Sequence, residues 1–253
     1  MPRICFRCTA SRNWRRARDR TSRDPGWHLG YRAGDSAPHG RQRPGGDRDG
    51  RGSGKLDAAL AKLGDARGEV VDARDYEALQ AFFASTGPVD HLVVTVTGAP
   101  GTTAFADLTM DGVREGVEGK LVPHTAAARA ALPVLRGSLT FVTAASAGAA
   151  TPGTAALAAV NAGIEAMVPV LAVELAPVRV NAVSPGVIDT PWWNFLDADA
   201  KAAAFEAMAA GLPARRVGTP DDIASAIAFL TENTHTTGVV LRVDDGARLA
   251  SAA

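Results

Sequence analysis

The stretch Ala159–Pro191, AVNAGIEAMVPVLAVELAPVRVNAVSPGVIDTP, decides the fold. Its first half is an apolar run inside a helix expected over 153–176. The residues then bunch as VRVNAVS, Val178–Ser184, a strand that the Pro185-Gly186 turn stops. Four of its seven residues are apolar, and the run is read as a strand covered by helices on both faces.

Working outward, the same alternation recurs. Further strands are expected at Gly68–Ala73 (GEVVDA), His91–Thr97 (HLVVTVT), Ser138–Thr143 (SLTFVT) and Val239–Asp244 (VVLRVD). Helices are expected near 75–86, 111–132, 199–210 and 219–231. This pattern implies an α/β fold with a doubly wound, Rossmann-like parallel sheet, whose ligand crevice lies at the carboxyl ends of the strands. At 253 residues and 46% hydrophobic content the chain supports one such core. No segment is expected to span a membrane.

Downstream lie ARRVGTPDDIASAIAFL, Ala214–Leu230, and TGVVLRVDDG, Thr237–Gly246. With the opening stretch, these make residues 55–253 resemble the short-chain dehydrogenase/reductase family, most specifically in Arg179–Gly186. The resemblance implies an oxidoreductase using NAD or NADP on a small, largely apolar carbonyl or alcohol. It also implies a cytoplasmic homodimer or homotetramer joined through helices 111–132 and 153–176. The alternative is a noncatalytic relative that binds a ligand or a protein.

The residues expected to do the chemistry are altered. Such a family site pairs a Tyr with a Lys one helical turn on, the Lys lowering the phenol pKa for proton transfer. Aligned on VNAGIEA, the Tyr position is Leu157 and the Lys position is Asn161. The Ser position is Ala144, with Thr143 and Ser146 close enough to substitute, and the helical Asn position is Lys120. The catalytic candidates are therefore Lys120, Ser146, Thr143 and Asn161. Lys120 and His124 share a helix face, which puts His124 beside the substrate pocket or, on the plainer reading, leaves Lys120 reaching to solvent and His124 among packed alanines. Pro123 and Pro169 are expected to kink their helices.

By the same resemblance the cofactor contacts are Asp72, Thr95, Gly98, Pro185, Gly186, Ile188 and Thr190. Asp72 has an equal claim as a turn cap. Trp192 and Trp193, with Phe195, supply either a pocket wall for an apolar substrate or an interface.

The head, residues 1–54, reads differently. It carries thirteen Arg, no Lys and five Asp, a charge of +8 against −8 for the remainder. With Ile4 and Leu29 as almost its only aliphatics it is not expected to fold by itself. A nucleic-acid arm is not expected from it, and Cys5 and Cys8 form one pair without the second that a zinc site needs. The family's first strand, phosphate turn and first helix, and its second strand, are expected to be missing here or scrambled. Codon structure offers a reason. Read from the second base of each codon, Gly26–Ser36 permits Gly-Gly-Thr-Ser-Gly-Ile-Gly-Leu-Ala-Thr, and Gly45–Asp49 permits Gly-Ala-Thr-Val-Thr. The head is thus expected to be an out-of-frame translation of the nucleotide-binding segment.

Overall fold

The computed structural model describes residues 3–4, 56–57, 60–61, 66, 68–96 and 103–249. Two short strands, β1 (Arg3–Ile4) and β2 (Val71–Asp72), pair antiparallel. Helix α1 (Tyr76–Thr86) begins where the Asp75 carboxylate accepts the Ala78 N–H, and ends at Gly87, whose φ of 72° suits only glycine. Strand β3 (Val89–Val94) follows. Next comes a continuous helical run: α2 (Met110–Gly116), a π-helical turn (Val117–Leu121) and α3 (Val122–Ala131). Beyond it lie β4 (Leu135–Val142), α4 (Ala155–Glu174), β5 (Arg179–Pro185), α5 (Ala198–Gly211), α6 (Pro220–Glu232) and β6 (Val240–Val243).

Strands β3, β4, β5 and β6 form a parallel sheet in chain order. Alternation along β5 separates its two faces. Arg179 donates to the Leu230 and Thr231 carbonyls at the end of α6, and Asn181 to Thr236; Ser184, of the other parity, donates to Glu165 on α4. Helices therefore cover both faces, and Val180–Ser184 are all buried, as the apolar run implied. The core joins Leu79 and Phe83 of α1 to Val94, Leu139, Phe141 and Val180 of the sheet and Ile164 and Val168 of α4.

Three expectations are corrected. The GEVVDA strand shrinks to β2 and lies outside the parallel sheet. In a 3-2-1-4-5-6 order this third strand pairs with a second one, and the described residues contain none. The head is not wholly irregular, since it supplies β1; the rest of residues 1–54 lies outside the described residues, apart from those two. Pro123 falls in the first turn of α3, just after the π turn Val117–Leu121, and the helical run continues through it. Helix α4 is long and apolar enough to cross a membrane, with 20 residues at mean hydropathy 1.8. Its Val160, Ile164 and Val168 are buried in the core, and it carries an ion-paired Glu165 against β6.

Candidate active site

At the carboxyl ends of β4, β5 and β6 a row of polar side chains meets α4. Register pairs Val142 with Val183 and Ser184 with Arg242, so Thr143, Ser184 and Arg242 lie side by side. All three point at Glu165. Its Oε1 accepts from Thr143 Oγ1 at 2.8 Å, Ser184 Oγ at 2.9 Å and Arg242 Nη1 at 2.7 Å, while Oε2 accepts from Arg242 Nη2 at 2.6 Å. Arg242 Nη1 also donates to Ser184 Oγ at 2.7 Å. A carboxylate this buried persists because every donor around it is charged or hydroxylic.

Lys120 reaches the same place from the π turn. It is 5% exposed, and its Nζ donates to the Thr143 carbonyl at 3.3 Å. Burial lowers its pKa to about 8, against the opposing pull of Glu165. Lysine therefore does not reach to solvent, as the plainer sequence reading had it. It is held under the β4 end with a labile proton.

His124, one turn on, is fully buried, with Nδ1 2.9 Å from the Lys120 carbonyl and Nε2 3.3 Å from the Val142 carbonyl. Burial, and then the Lys120 charge, push its pKa down to about 3, so the ring is neutral. The imidazole thus ties the helix to the strand, in keeping with the plainer of the two sequence readings.

Asn161 Nδ2 donates to Ser146 Oγ at 3.1 Å and to the Leu157 carbonyl at 2.9 Å, and its Oδ1 is buried without a hydrogen-bond partner. The structure thus brings Asn161 and Ser146 together, as it does Lys120 and Thr143. Ser146 lies in the 3-10 turn Ala145–Ala147, beside Gly148, whose open side faces Arg242.

The cofactor candidates divide. Pro185 ends β5, and a Cβ on Gly186 would come within 2.7 Å of Asp244 Cα, so this glycine lets the ends of β5 and β6 close together. Ile188 bridges to Gly218, and Thr190 precedes the 3-10 turn Pro191–Trp193. Thr95 follows β3 and is half-buried. Asp72 accepts from the Arg74 main chain at 3.0 Å and from its guanidinium at 3.2 Å. Burial would raise its pKa, but the Arg74 hydrogen bonds and charge outweigh that and leave it lowered. The cap reading describes what this carboxylate does here. Gly98 lies outside the described residues.

After Thr190, Trp193 anchors a cluster with ring centroids 4.7 Å from Trp192, 5.9 Å from Phe195 and 5.4 Å from Phe205. Its Nε1 donates to the Ile188 carbonyl at 3.0 Å, leaving Trp192 and Phe195 exposed.

Sequence reading missed Glu165, Ser184 and Arg242. The signal was present: an acid in the middle of the apolar run of α4 and a lone Arg in VVLRVD are charges that burial obliges to pair.

A family profile described as Enoyl-(Acyl carrier protein) reductase matches residues 45–248. The chain belongs to the short-chain dehydrogenase/reductase family. A small-chain dehydrogenase solved in complex with NADPH is 34% identical at a TM-score of 0.67, covering 71% of this chain and 83% of its own. An NADPH-bound short-chain oxidoreductase of Pseudomonas aeruginosa containing an atypical catalytic center is 28% identical at a TM-score of 0.71, covering 79% and 84%. Among curated relatives, a putative ketoacyl reductase of granaticin polyketide synthesis from Streptomyces violaceoruber is 47% identical over 90 residues, about a third (35%) of either chain. A short-chain dehydrogenase/reductase of Stachybotrys chlorohalonatus is 28% identical over 214 residues, 78% of this chain and 84% of its own. NAD(P) chemistry is thus the family's.

The residues present fit one end of such a cofactor. Asn161 Oδ1, a buried acceptor without a donor, stands at the position where the family's Lys would be, and the Pro185–Thr190 segment leaves the sheet at its carboxyl edge. Toward the phosphate end, the Gly-x-x-x-Gly-x-Gly spacing occurs at Gly46–Gly52, with no strand-like apolar run before it, and lies outside the described residues.

Proposed function

We propose that this chain derives from an NAD(P)-dependent oxidoreductase of small, largely apolar carbonyl compounds or alcohols, in which Lys120 replaces the usual Tyr as the proton-bearing group. The observation that carries this reading is the placement of Lys120: buried, at the end of β4, with its pKa lowered to about 8. A general acid works best when its pKa lies near the working pH.

When held by this chain, a reduced nicotinamide would supply a hydride to the carbonyl carbon. Lys120 holds the proton that the oxygen takes, passing from ammonium to amine. The Thr143 carbonyl orients the ammonium, and Asn161, steadied by Ser146, offers Oδ1 to a ribose hydroxyl. Trp192 and Phe195 form the wall against which an apolar substrate rests, excluding water from the reacting oxygen.

Leu157 and Asn161, at the positions where the resemblance expects Tyr and Lys, favour a second reading for the chain as written, that of a noncatalytic relative. In our reading residues 1–54 are the out-of-frame product of the phosphate-binding segment, and association into a homodimer or homotetramer uses the exposed Val122, Val170 and Val173 of α3 and α4.

The test compares this chain with one rewritten in the shifted frame over Gly26–Asp49. NADPH fluorescence should report weak binding by the first and firm binding by the second. In the rewritten chain Lys120→Ala should lower turnover roughly 100-fold, the lower end of general acid catalysis. Unchanged turnover removes Lys120 from the chemistry, and firm NADPH binding by the present chain overturns the frame reading.

A further inference from the structure

Glu165 and Arg242 have no part in the exchange of side chains described above, yet they occupy the middle of the site. Arg242 grips Glu165 with both terminal nitrogens, at 2.7 and 2.6 Å, and the same carboxylate takes the Thr143 hydroxyl at 2.8 Å. Besides its main-chain N–H and hydroxyl contacts to the Val183 carbonyl, Thr143 thus links Glu165, through its side chain, to Lys120, through its main-chain carbonyl at 3.3 Å. We propose that the Arg242–Glu165 pair is a positioning device for Lys120, holding the Thr143 carbonyl as the ammonium's acceptor and cancelling the carboxylate charge to which the ammonium would otherwise be drawn.

The charges around Lys120 make the consequence specific. On its own helical run the neighbours are His124, which is neutral, and Glu118, whose charge acts on Arg74. On α4 the neighbour is Glu165, and on β6 it is Arg242. At the ends of β3, β4 and β5, Thr95, Val96, Val142, Thr143 and Ser184 bring no ionisable group. With Glu165 and Arg242 both charged, the buried cluster carries one excess positive charge while Lys120 is an ammonium and none once it is an amine. Loss of the proton is thereby favoured, as it must be for a group that gives a proton away. Alone, Glu165 would do the opposite and hold the proton on Lys120.

This inference rests on the proposed role of Lys120, but its test does not require turnover. The chain has four lysines, Lys55, Lys62, Lys120 and Lys201. In protein labelled with carbon-13 lysine, each Cε resonance reports its own titration, and Lys120→Met assigns the fourth. Glu165→Gln should lower the Lys120 midpoint by roughly one pH unit, and Arg242→Gln should raise it by about as much, the low end for a neighbouring charge. Arg242→Lys should leave it in place. A midpoint that stays put in both glutamine variants, or moves the same way in both, overturns the proposal. If one of them fails to fold, the sign in the other decides. If neither folds, Thr143→Val decides, since it keeps every charge but loosens the carbonyl that accepts from the ammonium: the midpoint should fall, and an unchanged midpoint overturns the proposal. Should Lys120→Ala leave turnover unaltered while these shifts occur, the catalytic reading fails and the positioning of Lys120 stands.

Discussion

Gly186 lies against the main chain of Asp244 so closely that a Cβ there would be 2.7 Å from Asp244 Cα and 3.0 Å from its carbonyl oxygen. The turn leaving β5 and the end of β6 are thus fixed to each other by backbone contact, and the Ile188–Thr190 segment departs from that joint. Gly186→Ala forces main chain apart from main chain and should destabilise by about 1–3 kcal/mol, the usual range for overpacking. At Gly218 the nearest obstacle is Ile188 Cδ1, at 2.5 Å, the movable tip of a side chain. Gly218→Ala should cost less. Urea unfolding of both variants orders the two, and the reverse order would show that the joint yields.

Lys120 predicts an alkaline effect on stability. Its pKa falls from 10.5 to about 8 on folding because burial penalises the charge. Between those values the unfolded chain binds more proton than the folded one, so the Lys120 contribution is a cost below about pH 8 that is relieved as pH rises toward 10.5. Full relief corresponds to about 3 kcal/mol. Lys120→Met should be more stable than the parent at pH 7, with the difference shrinking by pH 10. A less stable Lys120→Met at pH 7 would mean that the ammonium is well solvated.

His124 acts on the acid side. Its folded pKa of about 3 lies below the ordinary 6.5, so the neutral ring contributes stability that is present above 6.5 and lost as pH falls toward 3. By pH 4.5 that loss amounts to about 3 kcal/mol. Replacement by Leu, which packs but does not titrate, should flatten the acid limb by roughly this amount in urea titrations at pH 7 and 4.5. Equal acid sensitivity in the two proteins would place the titrating group elsewhere.

The order of strands and helices from Val89 onward was legible because short runs rich in Val, Leu and Ile alternate with helical stretches, several of which carry a side-chain cap, as Thr219 and Asp222 do for α6. The family followed from Arg179–Gly186. What the residues did not disclose was direction. Lys120 and His124 share a helix face, but a π turn, which leaves no mark in composition, turns Lys120 inward to the Thr143 carbonyl. Nor did spacing show that Asp72 is occupied by its neighbour Arg74, since a strand-end Asp serves as a cap or as a ligand contact with the same sequence. The Glu165–Arg242 pair joins residues 77 apart in the chain, and only the closing of the sheet brings them together.

Asn161 supplies the last prediction. The Leu157 carbonyl, 2.9 Å away, can only accept, so the amide nitrogen must face it and Oδ1 must face away, where it has no partner. Asn161→Leu removes that unpartnered oxygen along with two hydrogen bonds. The half-buried Ser146 hydroxyl can turn to water, so the net cost should stay within about 1 kcal/mol. Asn161→Asp is worse despite its shape. It aims a carboxylate oxygen at the Leu157 carbonyl and keeps only the Ser146 hydroxyl as donor. The expected loss is about 1–3 kcal/mol at pH 7, where the group is ionised, diminishing toward pH 4 as it takes up a proton and can donate. Urea unfolding at the two pH values separates the variants. An Asp variant as stable as the Leu variant at pH 7 would mean that a donor reaches this position, and that Oδ1 is not the free acceptor that the ribose contact requires.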